Sequence, residues 1–163
     1  MITSERLREL LDYNPETGVF TRKVATAQCM KVGDIAGSMM SHGYRRICID
    51  NRVYLAHRLA WLYMTGEWPK HQIDHINGNK NDNRHVNLRE ATNSENMRNT
   101  GKRSDNSSGF KGVYWNSEKM RWSAQISYNG RHKSLGTFDT AEEAHVAYRS
   151  ASEKLHGQFA RAE

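Results

Sequence analysis

An aspartate followed directly by a histidine, Asp74-His75, is the pair of residues in this sequence best suited to chemistry. A carboxylate binds hard divalent cations, and a neutral imidazole accepts a proton from water near physiological pH. A further oxygen-bearing side chain follows at Asn96. These residue types indicate a site that holds a metal ion and activates a water molecule beside it. The alternative is a polar hairpin in which Asp74 and His75 only pair with each other.

Two short strands and a helix must position these side chains. The pattern predicts a strand over 72–76, a loop over 77–83, a strand over 86–90 and a helix from about residue 93. Thr92-Asn-Ser-Glu95 fits a capping box, so Asn96 should lie in the first turn of that helix. Adjacent residues of an ideal strand point to opposite faces, so Asp74 and His75 cannot both face the helix. We therefore expect the first strand to end or distort there.

The charge of the chain indicates a polyanionic partner. Its 163 residues contain 24 Lys and Arg against 18 Asp and Glu, a net charge of +6. Between Lys102 and Lys133 there are seven basic residues and two acidic ones. No strongly apolar amphipathic helix runs through this stretch, which favours nucleic acid over a membrane surface.

The sequence also bounds the compartment. It contains neither a signal peptide nor an apolar run of roughly eighteen residues, so we expect a soluble, cytoplasmic protein without membrane contacts. Cys29 and Cys48 have no metal-binding spacing, and we expect both to be buried or partly buried thiols in a reducing compartment.

The first hundred residues should combine short strands with two helices before the Asp-His motif. The expected elements are a helix with Leu7, Leu10 and Leu11 on one face, a strand over 19–23, a hairpin of 44–50 with 53–55, and a buried helix over 57–64. Arg45 and Arg46 on the hairpin leave two roles open for residues 1–56. They either only buttress the motif or also contact the polyanion.

The last third of the chain should be a small separate domain. The expected elements are a linker over 101–109, strands over 113–115, 122–128 and 132–138, and a helix after the capping box Thr140-Ala-Glu-Glu143. Asn129-Gly130 favours a tight hairpin turn between the last two strands, and Trp122 should pack under the helix. We therefore predict domains at 1–100 (core motif 57–100) and 110–163.

Several motifs together resemble the HNH endonucleases, in particular the phage and intron-encoded homing nucleases. They are His57-Arg58-Leu59-Ala60-Trp61, Asp74-His75-Ile-Asn-Gly78, Asn83-Arg84, Asn87-Leu88-Arg89 and Glu95-Asn96. The resemblance implies a ββα-metal fold in which Asp74 and Asn96 bind one divalent ion and His75 is the general base. It also implies that Asn87 braces the loop and orients His75. His57 remains either structural or a support of the active site.

Oxygen donors favour Mg²⁺ or Mn²⁺ over Zn²⁺ at such a site. Phosphodiester hydrolysis needs a deprotonated water, stabilised charge on the phosphoryl oxygens and help for the leaving 3′ oxygen. An imidazole can supply the first, and one hard cation can supply the other two. Two protein ligands would leave coordination positions for substrate and water.

Residues 108–160 resemble the plant ethylene-response-factor (Apetala) DNA-binding domain. The landmarks are Gly112-Val-Tyr-Trp115, Arg121-Trp-Ser-Ala124, Leu135-Gly-Thr-Phe138 and Thr140-Ala-Glu-Glu-Ala144. That family lays a three-stranded sheet in the major groove. The resemblance therefore implies DNA contacts from Lys111, Tyr114, Asn116, Arg121, Gln125, Ser127, His132 and Ser134, and the charge of Lys133 adds a candidate for phosphate.

The sequence thus predicts an α+β protein with a ββα-metal nuclease module, an N-terminal β-rich segment and a C-terminal three-stranded antiparallel sheet with one helix. The expected function is metal-dependent endonuclease cleavage of double-stranded DNA at a preferred site, in the host cytoplasm if a phage encodes the chain. A monomer should nick one strand, whereas a double-strand cut would need a homodimer or a second event. The alternative is a non-catalytic DNA-binding regulator with a vestigial HNH fold. An RNA-binding role lacks a recognisable signature.

Overall fold

The computed structural model describes residues 1–25, 30–102, 105–128 and 130–161. The chain divides into two compact units, Met1–Asn93 and Ser94–Glu163. Both mix short helices with small antiparallel sheets, which confirms the predicted α+β class. None of the helices in these described ranges combines the length and apolar character needed to span a bilayer.

The first unit alternates short helices and strands. Its elements are α1 (Ser4–Leu10), β1 (Leu11–Asn14), β2 (Val19–Arg22), β3 (Ser38–Met39), β4 (Arg45–Ile49), β5 (Arg52–Leu55), α2 (Ala56–Thr65), β6 (Gln72–His75), a 3-10 turn (His85–Asn87) and β7 (Leu88–Ala91). β1 pairs with β2, β4 lies between β3 and β5, and β6 pairs with β7, all antiparallel. The predicted hairpin and buried helix are therefore confirmed.

Local chemistry explains where these elements start and stop. The Thr3 side chain caps α1 by accepting from the Arg6 N–H. Asp50 and Asn51 both have positive φ, the geometry of the two-residue hairpin turn that joins β4 to β5. Gly66 ends α2 in the left-handed conformation, and its N–H donates to the Leu62 carbonyl.

One hydrophobic core joins the elements of the first unit. Its fully buried members include Leu7, Phe20, Ile47 and Leu59, and Ile73 and Leu88 from the β6–β7 pair belong to the same cluster. The strands that carry the Asp-His motif are thereby packed against the N-terminal segment. We infer that residues 1–56 buttress the motif.

Three predictions about the first unit need correction. Leu11 begins β1 instead of extending the helix face. Val86 is 80% exposed in the 3-10 turn, and the second strand starts only at Leu88. Cys48 is exposed, because its neighbours Ile47 and Ile49 point inwards from β4. Cys29 lies outside the described residues.

The second unit contains a three-stranded antiparallel sheet and a long helix. The helix α3 (Asn93–Arg98) begins at the boundary between the units, as the capping box predicts, and is followed by β8 (Val113–Asn116), β9 (Arg121–Tyr128), β10 (Arg131–Phe138), α4 (Ala141–His156) and a 3-10 turn (Gly157–Phe159). The strand order is β10-β9-β8. Tyr128 pairs with Arg131 across the end of the β9–β10 hairpin, and Asn129 of the predicted turn lies outside the described residues.

The core of the second unit lies between the sheet and α4. Val113, Ala124, Ala141 and Ala144 are buried there, and Trp122 packs against them as predicted. Thr140 and Glu143 form the predicted capping box at the start of α4. Within the expected linker, the Ser108 hydroxyl donates to the Val113 carbonyl at 2.8 Å.

Candidate active site

The β6–β7 pair places Asp74 and His75 at the end of a strand. His75 is the last residue of β6, and the Gly78 N–H donates to its carbonyl at 2.8 Å to form a turn. Asp74 lies opposite Arg89, and His75 lies opposite Leu88. Both side chains of the motif are 4% exposed. The strand thus ends at the motif, as the alternation argument requires.

Asp74 forms a buried ion pair with Arg89. The Nε and Nη2 atoms of Arg89 lie 2.8 and 2.7 Å from Oδ2 of Asp74. This guanidinium compensates the charge of a carboxylate that burial would otherwise destabilise. Sequence reasoning did not assign Arg89 a role. Only the register of the β6–β7 pair identifies Arg89 as the partner of Asp74, because the two residues are direct cross-strand neighbours.

His75 is buried beside the Asn83 side chain, with its Nε2 atom 3.2 Å from Asn83 Oδ1. Burial lowers the pKa of His75, partly offset by the Asn83 hydrogen bond and the nearby charges of Asp74 and Asp82. The ring is therefore neutral near pH 7 and can accept a proton. Sequence reasoning placed Asn83 in the motif but missed its contact with His75.

Two aromatic rings, from Tyr44 before β4 and from His57 on α2, lie beside His75. The centroids of His57 and Tyr44 lie 5.1 and 6.0 Å from the His75 centroid. Burial lowers the pKa of His57 to about 3, so His57 packs as a neutral ring. The Lys80 Nζ atom lies 5.0 Å from the centroid of the Tyr44 ring and donates a hydrogen bond to the His42 carbonyl. His57 is thus a packing support of the site.

Asn87 braces the loop after β6. Its Oδ1 accepts from the Asn77 N–H at 3.0 Å, and its Nδ2 donates to Asn77 Oδ1 and to the Asp82 carbonyl. Asp82 in turn accepts two hydrogen bonds from the Arg84 guanidinium. Asn87 thus hydrogen-bonds to two residues of this loop, while Asn83 contacts the His75 ring.

The oxygen donors expected to bind metal are Asp74 on β6 and Asn96 on α3. Within the described ranges, no three or more His, Cys, Asp or Glu side chains gather as a metal site. Carboxylate and amide oxygens are donor types that a hard cation such as Mg²⁺ prefers. The two donors lie in different units, and their joint role is a proposal.

The sheet of the second unit presents most of the predicted DNA-contacting side chains on one face. Cross-strand pairing sets Asn116 opposite Arg121, Gln125 opposite Ser134, and Ser127 opposite His132. This face is opposite the one that α4 covers, and we call it the open face. Its predicted contact residues are Tyr114, Asn116, Arg121, Gln125, Ser127, His132 and Ser134.

Two predicted contact residues lie elsewhere. Lys133 pairs with Ile126, so it shares the face of the sheet that packs against α4. The Lys111 ammonium donates to the backbone carbonyls of Arg98, Thr100 and Arg161 within the second unit. Burial and the charge of Arg161 lower the pKa of Lys111 to about 8. Lys111 is thus engaged in holding backbone segments together.

The sequence matches two protein-family models. The HNH endonuclease model matches residues 54–98, which include Asp74, His75, Asn87 and Asn96. The AP2 domain model matches residues 108–158, which include the sheet and most of α4. The two matches lie in the order predicted from the motifs.

One relative and one solved structure accompany these matches. Protein 3.8 of Escherichia phage T7 is 37% identical over 106 residues, which cover 64% of this chain and 87% of that protein. A solved structure described as "DNA binding and cleavage by the HNH homing endonuclease I-HmuI" is 19% identical, with a TM-score of 0.43 over 90% of this chain and 85% of that one. The identity and coverage shared with Protein 3.8 show that the chain belongs to that protein's family, and this chain matches an HNH endonuclease model followed by an AP2 domain model.

Proposed function

We propose that this protein is a metal-dependent DNA endonuclease of the HNH homing type. The family matches support a DNA nuclease or DNA-binding role. The observation that carries the catalytic proposal is the buried Asp74-His75 pair at the end of β6, where a neutral imidazole and a carboxyl group belong to adjacent residues.

In this proposal the chain's own residues divide the work of hydrolysis. Asp74 and Asn96 would hold one Mg²⁺ or Mn²⁺ ion, which when bound stabilises charge on the phosphoryl oxygens and on the leaving 3′ oxygen. His75 takes a proton from the attacking water. Asn87 keeps the loop after β6 in place, and Arg89 orients the Asp74 carboxylate.

In this proposal the second unit binds the DNA. Its open face carries polar and cationic side chains that include Arg121, Gln125 and His132. Phosphate contacts would fix the position of the protein on a duplex, and side chains reaching base edges would give a site preference. Each chain has one HNH motif, so we propose that a monomer nicks and that a double-strand cut takes a homodimer or a second event. A phage-encoded relative supports action in the cytoplasm of a bacterial host.

Incubation of supercoiled plasmid with the protein tests the catalytic proposal. We expect conversion to the open-circular form in Mg²⁺ or Mn²⁺ and none in excess chelator. A plasmid library with random-sequence inserts must serve as substrate in parallel, because site preference can hide activity on a single DNA sequence. Persistent supercoiled DNA in both metals across that library would contradict the proposal.

A second candidate function is a DNA-binding regulator with an inactive HNH fold. The observation that favours it is the Arg89 guanidinium, which competes with a metal ion for the Asp74 carboxylate. This alternative predicts DNA affinity that is unchanged by Mg²⁺ and no cleavage by the wild-type protein. Equal duplex affinity with Mg²⁺ and with chelator, together with intact plasmid, would favour it.

A further inference from the structure

Asn83 is a buried residue of the loop between β6 and β7 that contacts His75. Its side chain is among the most completely buried of the protein, at 2% exposure. Its Oδ1 lies 3.2 Å from Nε2 of His75. The nitrogen that faces Asn83 therefore points towards the interior of the first unit.

A backbone carbonyl decides which end of the Asn83 amide faces the imidazole. Asn83 Nδ2 donates to the Asn81 carbonyl at 3.2 Å. A side-chain amide has one donor end and one acceptor end, so the oxygen is left to face His75. That oxygen can only accept, and Nε2 of the neutral His75 ring must carry the proton.

The β1–β2 hairpin contacts the backbone of Asn83. The Tyr13 hydroxyl donates to the Asn83 carbonyl at 2.7 Å in a buried setting. Burial raises the pKa of Tyr13 to about 12, which keeps this donor protonated at neutral pH. Gly18 approaches the backbone of Asn83 and Arg84 so closely that an added Cβ would lie 2.5 Å from it. β1 and β2 thus restrain the residue that contacts His75.

We propose that Asn83 is a positioning residue that holds His75 as its Nε2-protonated tautomer, so that Nδ1 accepts the proton of the attacking water. This inference rests on the proposed function, in which His75 is the general base. The water O–H bond breaks and its proton moves to Nδ1, which forms an imidazolium. The water oxygen bonds to phosphorus, and the bond to the 3′ oxygen breaks with its electron pair on that oxygen, which takes a proton from solvent.

Nitrogen-15 NMR of the full chain tests the tautomer directly. At about pH 8 a neutral imidazole shows distinct shifts for its protonated and unprotonated nitrogens. Comparison with His75→Ala assigns the His75 signals. We expect Nε2 of the wild-type protein to carry the proton, and in Asn83→Ala the two tautomers should mix. Asn83→Asp keeps an acceptor at this place and should preserve the Nε2–H form.

A matched control in the same loop is Asn81→Ala, since it removes an exposed side chain and keeps the backbone carbonyl that orients Asn83. We expect it to leave the tautomer unchanged. In plasmid nicking, Asn83→Ala should lower the maximal rate by roughly 10- to 100-fold with little change in the enzyme concentration giving half-maximal rate.

The outcomes separate this inference from the proposed function. A wild-type His75 protonated on Nδ1, or an Asn83→Ala protein with an unchanged tautomer, would overturn the inference whatever the protein does to DNA. An Nε2–H tautomer that is lost in Asn83→Ala supports the positioning role. If that result comes with a wild-type protein that never nicks DNA, the proposed function fails while the positioning role stands.

Discussion

At the scale of single residues, the site depends on two side-chain contacts, Arg89 with Asp74 and Asn83 with His75. Sequence alone indicated Asp74 and His75, because the residue types suit metal binding and proton transfer. It did not indicate Arg89 or Asn83 as their partners. Arg89 is opposite Asp74 only through the β6–β7 register, and Asn83 reaches His75 only through the path of a loop. Such partners come together only in the folded chain, and no local sequence pattern identifies them.

The buried ion pair gives a prediction about stability. Arg89→Met should lower the free energy of unfolding by about 3–5 kcal/mol, because it removes the guanidinium that pairs with the buried Asp74 carboxylate. Chemical denaturation measures this. The control is Arg6→Ala, whose exposed pairs with Glu9 and Asp50 are screened by solvent and should contribute far less. If both variants lost a similarly small free energy of unfolding, the Arg89–Asp74 pair would not behave as a buried ion pair.

Asp82 gives a prediction about pH. Hydrogen bonds from Arg84 and Asn77 lower the pKa of Asp82 to about 2. Its folded-state pKa lies below that of the unfolded chain, so the stabilisation is present above about pH 4 and is lost as pH falls through about pH 2. Asp82→Asn should therefore cost about 1 kcal/mol at neutral pH after allowance for solvent screening.

Unfolding of the wild type and Asp82→Asn at several pH values checks this. The difference between the two should shrink towards about pH 2, where the wild-type carboxyl is itself protonating. A difference that stayed constant with pH would show that Asp82 acts through its shape and not its charge.

At the scale of elements, periodicity and capping predicted most helices and strands. The capping boxes at Thr92 and Thr140 placed the starts of α3 and α4. β1 was missed because its first residue, Leu11, continues the apolar spacing of α1. The 3-10 turn before β7 was missed because an exposed Val86 looks like a strand residue. In both cases tertiary contacts decided between two locally plausible structures.

The β1–β2 turn gives a prediction at this scale. Gly18 has φ +72°, and an added Cβ would meet the backbone of Asn83 and Arg84 at 2.5 Å. Gly18→Ala should lower the free energy of unfolding by roughly 2 to 4 kcal/mol through strain and overpacking. Gly33→Ala is the matched control, since Gly33 also has positive φ but nothing within 4 Å of the added atom. It should cost about 1 kcal/mol; equal costs would argue against a close contact at Gly18.

Lys111 gives a second prediction for an element contact. Lys111→Met keeps the length of the side chain but removes the donor shared by the carbonyls of Arg98, Thr100 and Arg161. We expect the free energy of unfolding to fall by about 1–3 kcal/mol, because carbonyl groups lose a partner in a partly buried place. Lys119→Met changes an exposed lysine and should have little effect on stability. A Lys111→Met protein of wild-type stability with weaker DNA binding would favour the predicted contact of Lys111 with DNA over a structural role.

At the scale of the whole molecule, charge and sheet geometry together define the surface proposed to meet DNA. The net charge of +6 indicated a polyanion but not a face. The strand register then separates the open face, with Arg121, from the face that packs against α4, with Lys133. A charge count cannot make this distinction, since both residues are exposed cations of neighbouring strands.

The open face gives a prediction about salt dependence. Arg121→Ala should weaken binding to a mixed-sequence duplex and reduce the slope of log affinity against log salt by about 1. Lys133→Ala serves as the matched loss of charge on the other face, and it should leave that slope nearly unchanged. Titrations by fluorescence anisotropy at several salt concentrations measure both. Equal losses of slope would mean that overall charge, and not the open face, governs binding.

The central claim is that the Asp74-His75 site hydrolyses DNA held by the same chain. The most direct measurement compares wild type and His75→Ala for nicking of a plasmid library with random-sequence inserts in Mg²⁺ and for affinity to a mixed-sequence duplex. We predict that nicking falls to background in His75→Ala while affinity stays within about twofold, because a general base contributes to proton transfer and little to binding. Undiminished nicking by His75→Ala, or no nicking by the wild type, would contradict the account.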